Sequence, residues 1–179
     1  MRSATRTLSA LIVPVLFLLF GWQRSNLSNF QDTKQAKNLK KVRTVLFLGN
    51  SLTAGYGVGP SQAFPALIQQ KIDSLGWRVK VVNAGLSGET SSGGLRRIGW
   101  LLKRPIDILV LELGANDMLR GLPLALTERN LQAIIDTTRS RYPEVQIVIA
   151  GMQALPNLGA TYANRFRAVF PELAKRNGA

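Results

Sequence analysis

The 179 residues contain no cysteine and no histidine. Without cysteine there is no disulfide framework, no thiolate nucleophile and no cysteine-based zinc site. Without histidine, the commonest metal ligand and the commonest general base near neutral pH are both missing. Aromatic residues make up only 7% of the chain. They form no stacking platform, and the basic residues are scattered rather than gathered into a recognition motif. Nucleic acid is therefore not an expected partner. Acidic residues are scarce too: 10 Asp and Glu face 23 Lys and Arg, for a net charge of +13. Solvated surface charge is the plainest reading of that excess.

What is present suffices for one globular domain with a real core, since 46% of the residues are hydrophobic. The chain opens with Arg2 and Arg6 and no acid, followed by an apolar run from Leu8 to Trp22 broken only by Ser9, Pro14 and Gly21. A bilayer crossing needs about 20 apolar residues and an export signal about 7–15. Residues 1–22 therefore read as a signal peptide or a signal anchor. This segment is expected to engage the membrane or the export machinery, and the protein to be periplasmic or extracellular. Residues 23–41 are polar, basic and aperiodic, and read as a linker. Residues 42–179 form the domain.

Within the domain, short apolar runs alternate with helical spacing. Strands are expected at Val42–Leu48, Val79–Val82, Ile106–Leu113 and Val145–Ala150. Helices are expected at Phe64–Leu75, Leu95–Leu102, Thr127–Arg141 with Thr127 as cap, and Thr161–Arg176 with a break near Pro171. Alternating strands and helices imply an α/β fold with a parallel sheet and right-handed crossovers. Ligands then bind beyond the carboxyl ends of the strands. Three loops fall there: GNSLTAGYG, NAGLSGETSSGG and GANDMLRG.

Taken singly, each loop is ambiguous. Ser51 follows the sharp turn of Gly49 and Asn50, and alone would serve as a turn or cap serine. It lies in neither a phosphate loop nor a G-x-S-x-G elbow, because Thr53 fills the last glycine position. Gly85 offers a backbone N–H unshielded by a side chain. Asn116 offers a neutral side-chain donor that would equally close an Asx turn. Taken together they are the ingredients of an oxyanion hole: the Ser51 N–H, the Gly85 N–H and the Asn116 amide. Such donors, set in place before reaction, each contribute about 2.7–4 kcal/mol to a tetrahedral transition state.

The stretches GNSLTAGYG, VVNAGLSGET and LGANDMLRG resemble, in order and separation, blocks I, II and III of the SGNH (GDSL-type) hydrolases. The likeness runs from Val42 to Ala179 and is strongest to the thioesterase I, lysophospholipase and arylesterase subgroup. It implies a flavodoxin-like three-layer α/β/α sandwich. It also implies Ser51 as nucleophile, with Gly85 and Asn116 completing the oxyanion hole, and hydrolysis of an acyl ester, thioester or lysolipid without a metal or cofactor. Asn50 stands where the family's name has aspartate; asparagine retains the turn chemistry. The family's D-x-x-H block has no counterpart here, so the catalytic His and Asp are absent from these residues. The domain is accordingly expected to stop short of a fifth strand and last helix. It should expose an apolar edge at the fourth strand and be nearly inert as an esterase. Glu89 and Asp117 read as loop hydrogen-bonders rather than substitute bases. Leu122–Leu126 and Leu155–Tyr162 are candidates to shape the acyl site. A non-catalytic ligand-binding relative and a nonfunctional gene remnant are the alternatives.

Overall fold

The computed structural model describes residues 41–179, and the expectations for the export signal and the linker fall on residues outside that range. Residues Val42–Ala179 form one compact unit. Its elements run β1 (Arg43–Gly49), α1 (Ser51–Ala54), α2 (Phe64–Ser74), β2 (Val79–Gly85), α3 (Ser91–Leu101), β3 (Ile108–Glu112), α4 (Ala115–Leu119), α5 (Leu124–Arg141), β4 (Gln146–Ile149) and α6 (Ala160–Asn177). The four strands are parallel, in the order β2-β1-β3-β4. The α/β fold with a parallel sheet is as the sequence implied.

The central strand shows why the apolar run folds this way. Val45 and Phe47 are buried on one face of β1, and Leu46 and Leu48 on the other, the period-2 alternation of a strand covered on both sides. Phe47 meets Phe64 of α2 edge to face, with ring centroids 5.5 Å apart. Leu46 and Leu48 join the main core with Leu109 and Leu111 of β3, Ile98 of α3, and Leu131, Ile134 and Ile135 of α5. Phe166, Val169, Phe170 and Leu173 of α6 join the same core. Their spacing of three and four residues lines one helical face.

Two helix predictions need correction. Thr127 does not cap α5, which begins three residues earlier at Leu124. Thr127 lies inside the helix, 1% exposed, with its hydroxyl turned to Asp117 Oδ1 at 3.3 Å. Nor does Pro171 break α6, which runs unbroken from Ala160 to Asn177. Pro171 is exposed, so the carbonyl it leaves without a partner faces water, while the buried aromatic and aliphatic face holds both halves in line.

The remaining differences are two short helices, α1 and α4, that form within stretches read as loops, and the element ends. Strand β2 continues through Asn83, Ala84 and Gly85 because these residues pair with Phe47, Leu48 and Gly49. Helix α3 begins at Ser91, capped by the Thr90 side chain, which accepts from the Gly93 N–H. Strand β4 is an edge of the sheet among the described residues, and its Val148 is 49% exposed. On that face α2 buries Val45 and Phe47, whereas Ile108 and Val110 of β3 are only half-buried.

Candidate functional site

The last residue of β1 sets the site's frame. Gly49 is in register with Gly85 on one side and with Glu112 on the other. The loops after β1, β2 and β3 therefore leave the sheet side by side at its carboxyl edge.

Ser51 is the first residue of α1 and is half-buried. Its hydroxyl has no hydrogen-bond partner among the described residues, and a first-turn N–H has no acceptor within its own helix. The turn before it is held by Glu112. That carboxylate, 7% exposed, accepts from Asn50 Nδ2 at 2.7 Å, from the Asn50 N–H at 3.2 Å and from Thr53 Oγ1 at 2.7 Å. Asn50 Oδ1 in turn accepts from the Leu52 N–H at 3.0 Å, capping α1. Asparagine suits this position physically, because it donates to a buried carboxylate with one side-chain atom and caps a helix with the other. Gly49 is required as well: a Cβ there would collide with Thr53 and Glu112.

Gly85 packs directly on α1, where a Cβ would run into the Ala54 nitrogen and the Thr53 carbonyl carbon. Its N–H donates to Asn83 Oδ1 at 2.9 Å, and Asn83 Nδ2 donates to the Thr53 carbonyl at 2.8 Å. The Asn83 amide thus stitches the second loop to α1. The Gly85 N–H would have to leave Asn83 to meet an anion. Asn116 is half-buried at the start of α4. One N–H of its amide goes to the Glu89 carbonyl at 2.9 Å, which ties the third loop to the second and leaves the other N–H without an acceptor among the described residues.

Glu89 and Asp117 both have structural partners. Glu89, 6% exposed, is gripped by Arg97, whose Nε lies 2.6 Å from Oε1 and whose Nη2 meets Oε2. The same Arg97 reaches the Ala84 carbonyl, so one guanidinium fixes the second loop to the end of β2. Asp117 is fully buried and accepts from the Ser91 N–H at 2.8 Å and from Ser91 Oγ at 2.5 Å. Asn130 of α5 extends the network to the Ser91 and Ser92 hydroxyls at 2.9 and 2.8 Å. Tyr162 faces this group; burial first, and the Asp117 carboxylate second, push its phenol above the usual value near 10.

Sequence reading missed Glu112, Arg97 and Asn130. Only Glu112 left a signal, as the one acid near the end of the apolar run IDILVLEL. The stretches Leu122–Leu126 and Leu155–Tyr162 do meet, around a cavity of about 570 Å³ whose lining includes Pro123, Leu124, Leu158, Thr161 and Tyr162. No cluster able to hold a metal ion occurs among the described residues.

A parallel α/β sheet whose carboxyl-edge loops carry an unpartnered serine, a bare glycine and an asparagine amide defines the class of α/β proteins with a loop-built polar site. The chain belongs to the GDSL-like lipase/acylhydrolase family, whose sequence model matches residues 47–179. Esterase TesA of Pseudomonas aeruginosa is 37% identical over 135 residues, which is 74% of this chain and 66% of that protein. Thioesterase 1/protease 1/lysophospholipase L1 of Escherichia coli is 42% identical over 134 residues, 74% of this chain and 62% of that protein. The chain thus spans about two thirds of the length of these relatives. Among solved structures, AlinE4, an SGNH-hydrolase family esterase, superposes with a TM-score of 0.73 at 37% identity, covering 78% of this chain and 74% of that one.

Proposed function

We propose that the carboxyl-edge loops form the acyl-transfer site of a carboxylic ester or thioester hydrolase. Ser51 is its nucleophile, and the Ser51 N–H, the Gly85 N–H and the Asn116 amide receive the oxyanion. The observation that carries this reading is the shared register of Gly49 with Gly85 and Glu112, which makes the three loops neighbours. Family membership and the named activities of the relatives support the substrate class. In the reaction, Ser51 Oγ bonds to the acyl carbon, negative charge gathers on the carbonyl oxygen, and the bond to the leaving oxygen or sulfur breaks. Water then releases the acid from the acyl-serine. Leu52, Leu86 and Leu119 are exposed on these same loops and offer apolar surface to an acyl chain.

The Ser51 proton needs an acceptor, and these 179 residues contain no histidine. In a serine triad, loss of that base lowers kcat by about 10⁶-fold, while an oxyanion hole and binding alone retain roughly 10³–10⁴ over water. The chain as given is therefore a slow acyl acceptor rather than an efficient hydrolase. Intact-mass measurement after treatment with an alkyl phosphonofluoridate, with imidazole added as an external base, tests the assignment. One phosphonyl adduct is expected on the peptide containing Ser51, faster with imidazole and absent in Ser51→Ala. An adduct that persists in Ser51→Ala, or forms elsewhere, would overturn Ser51 as nucleophile. In the same assay Asn116→Ala should slow labelling by about 10²–10³-fold if its amide serves the oxyanion.

A further inference from the structure

We propose that the opposite edge of the sheet, where the strands begin, is a docking face for an anionic phospholipid bilayer. This proposal does not depend on the esterase reading. A cleft of about 480 Å³ opens there between the starts of β1 and β2 and the end of α3. Leu46, Val82, Leu101 and Ile106 contribute its apolar lining, and Lys80, Lys103 and Arg104 line the same cleft. None of these three cations has an ion pair or a side-chain hydrogen bond among the described residues, and all three are exposed. Asp107, the nearest acid in sequence, is half-buried and accepts from the Thr44 N–H at 2.8 Å.

The two tryptophans of the described domain lie at this same edge. Trp77, just before β2, is 61% exposed, and Trp100, lining the cleft, is 67% exposed. Arg78 stands exposed beside Trp77. Exposed indoles among unpaired cations suit the headgroup layer of a bilayer: the ring sits at the interface while the cations meet lipid phosphates. A protein partner would satisfy the indoles equally, but three cations with no acid to balance them around an apolar cleft match a negatively charged amphiphile.

The course of the chain points the same way. The polypeptide enters β1 at Arg43, and the sequence before it carries the apolar run Leu8–Trp22 with Arg2 and Arg6. A basic surface adds electrostatic attraction to anionic lipid beside whatever apolar contact is made. The candidate site lies at the far edge of the sheet and stays open to solution when this face is docked.

Vesicle binding by the full chain tests the proposal. A Trp22→Phe background leaves only Trp77 and Trp100 to report. With vesicles of phosphatidylcholine and phosphatidylglycerol (3:1), co-sedimentation, a blue shift of tryptophan emission and protection from acrylamide quenching are expected. Lys80→Glu, Lys103→Glu and Arg104→Glu together should weaken binding to these vesicles by roughly tenfold or more. Binding to pure phosphatidylcholine, carried by the apolar run, should not change. Raising salt on the parent protein should reproduce the loss, a readout that needs no folded variant. Unchanged affinity after the triple reversal, tryptophans that stay fully quenchable on the vesicles, or tighter binding to duplex DNA than to the anionic vesicles would each overturn the assignment.

Discussion

Asn50 joins two jobs that one carboxylate would perform at a cost. Its amide donates to Glu112 and its oxygen caps α1. Asn50→Asp would set two carboxyls in a space that is 1% exposed at position 50 and 7% exposed at Glu112, and one of them would have to keep its proton. A carboxyl held protonated has a folded-state pKa above its unfolded value. The stability tied to that proton is complete below about pH 4 and is lost as pH rises past that point. Chemical denaturation at pH 4.5 and pH 8 should show Asn50→Asp losing about 2 kcal/mol or more at the higher pH relative to the parent. Tyr162 follows the same sign at the alkaline end. Its phenol holds its proton more tightly in the folded state, through burial and then Asp117. Stability it contributes is complete below pH 10 and falls as pH climbs above that. Tyr162→Phe should flatten the decline of denaturation midpoint between pH 9.5 and 11. At this scale the sequence was partly legible. Ser51, Gly85 and Asn116 stood out because three separate loops agreed, and Glu112 was detectable as an acid near the end of an apolar run. Arg97 and Asn130 were not, because a guanidinium and an amide on helix surfaces look alike whether they face water or a buried carboxylate.

At the scale of elements, burial on both faces made the strands readable. The run VRTVLFL has little alternation because both sides of β1 are covered, and IDILVLEL is apolar although one face of β3 is only half-buried. Ends were less readable, because they depend on partners distant in sequence. Asn83-Ala84-Gly85 reads as a turn but is extended, since β1 offers it a matching row of peptide groups. Thr127 reads as a cap but is drawn inward by Asp117, ten residues away in sequence yet adjacent in space. Asp117 holds three elements at once, through Ser91 at the start of α3, Thr127 in α5 and its own place in α4. Asp117→Ala leaves the Ser91 N–H and hydroxyl without their acceptor and should cost about 1.5–3 kcal/mol. Urea denaturation reads that loss directly, and amide exchange should locate the loosening at the first turn of α3.

For the whole molecule, the sheet is unevenly clothed. One face is thickly covered by α3, α5 and α6, while α2 covers the other only over its β1–β2 side. Val148 on β4 is 49% exposed at an edge whose peptide groups lie open among the described residues. Such an edge invites association with another chain. Sedimentation velocity of the 179-residue protein should show mass rising with concentration. Val148→Lys should reduce that rise while leaving the unfolding free energy within about 0.5 kcal/mol of the parent, and so the midpoint nearly unchanged. A midpoint held with association unchanged would mean that other surfaces drive it.

The alignment of Gly49 with two neighbours makes β1 the ruler against which the rest is measured. Sliding that strand by a single residue would carry Ser51 about 3.3 Å past both adjoining loops. It would also turn Leu46 and Leu48 from the thickly covered face to the other. Several buried leucines and isoleucines thus oppose any drift of one hydroxyl. The position of the serine is guarded by the same packing that keeps the protein folded.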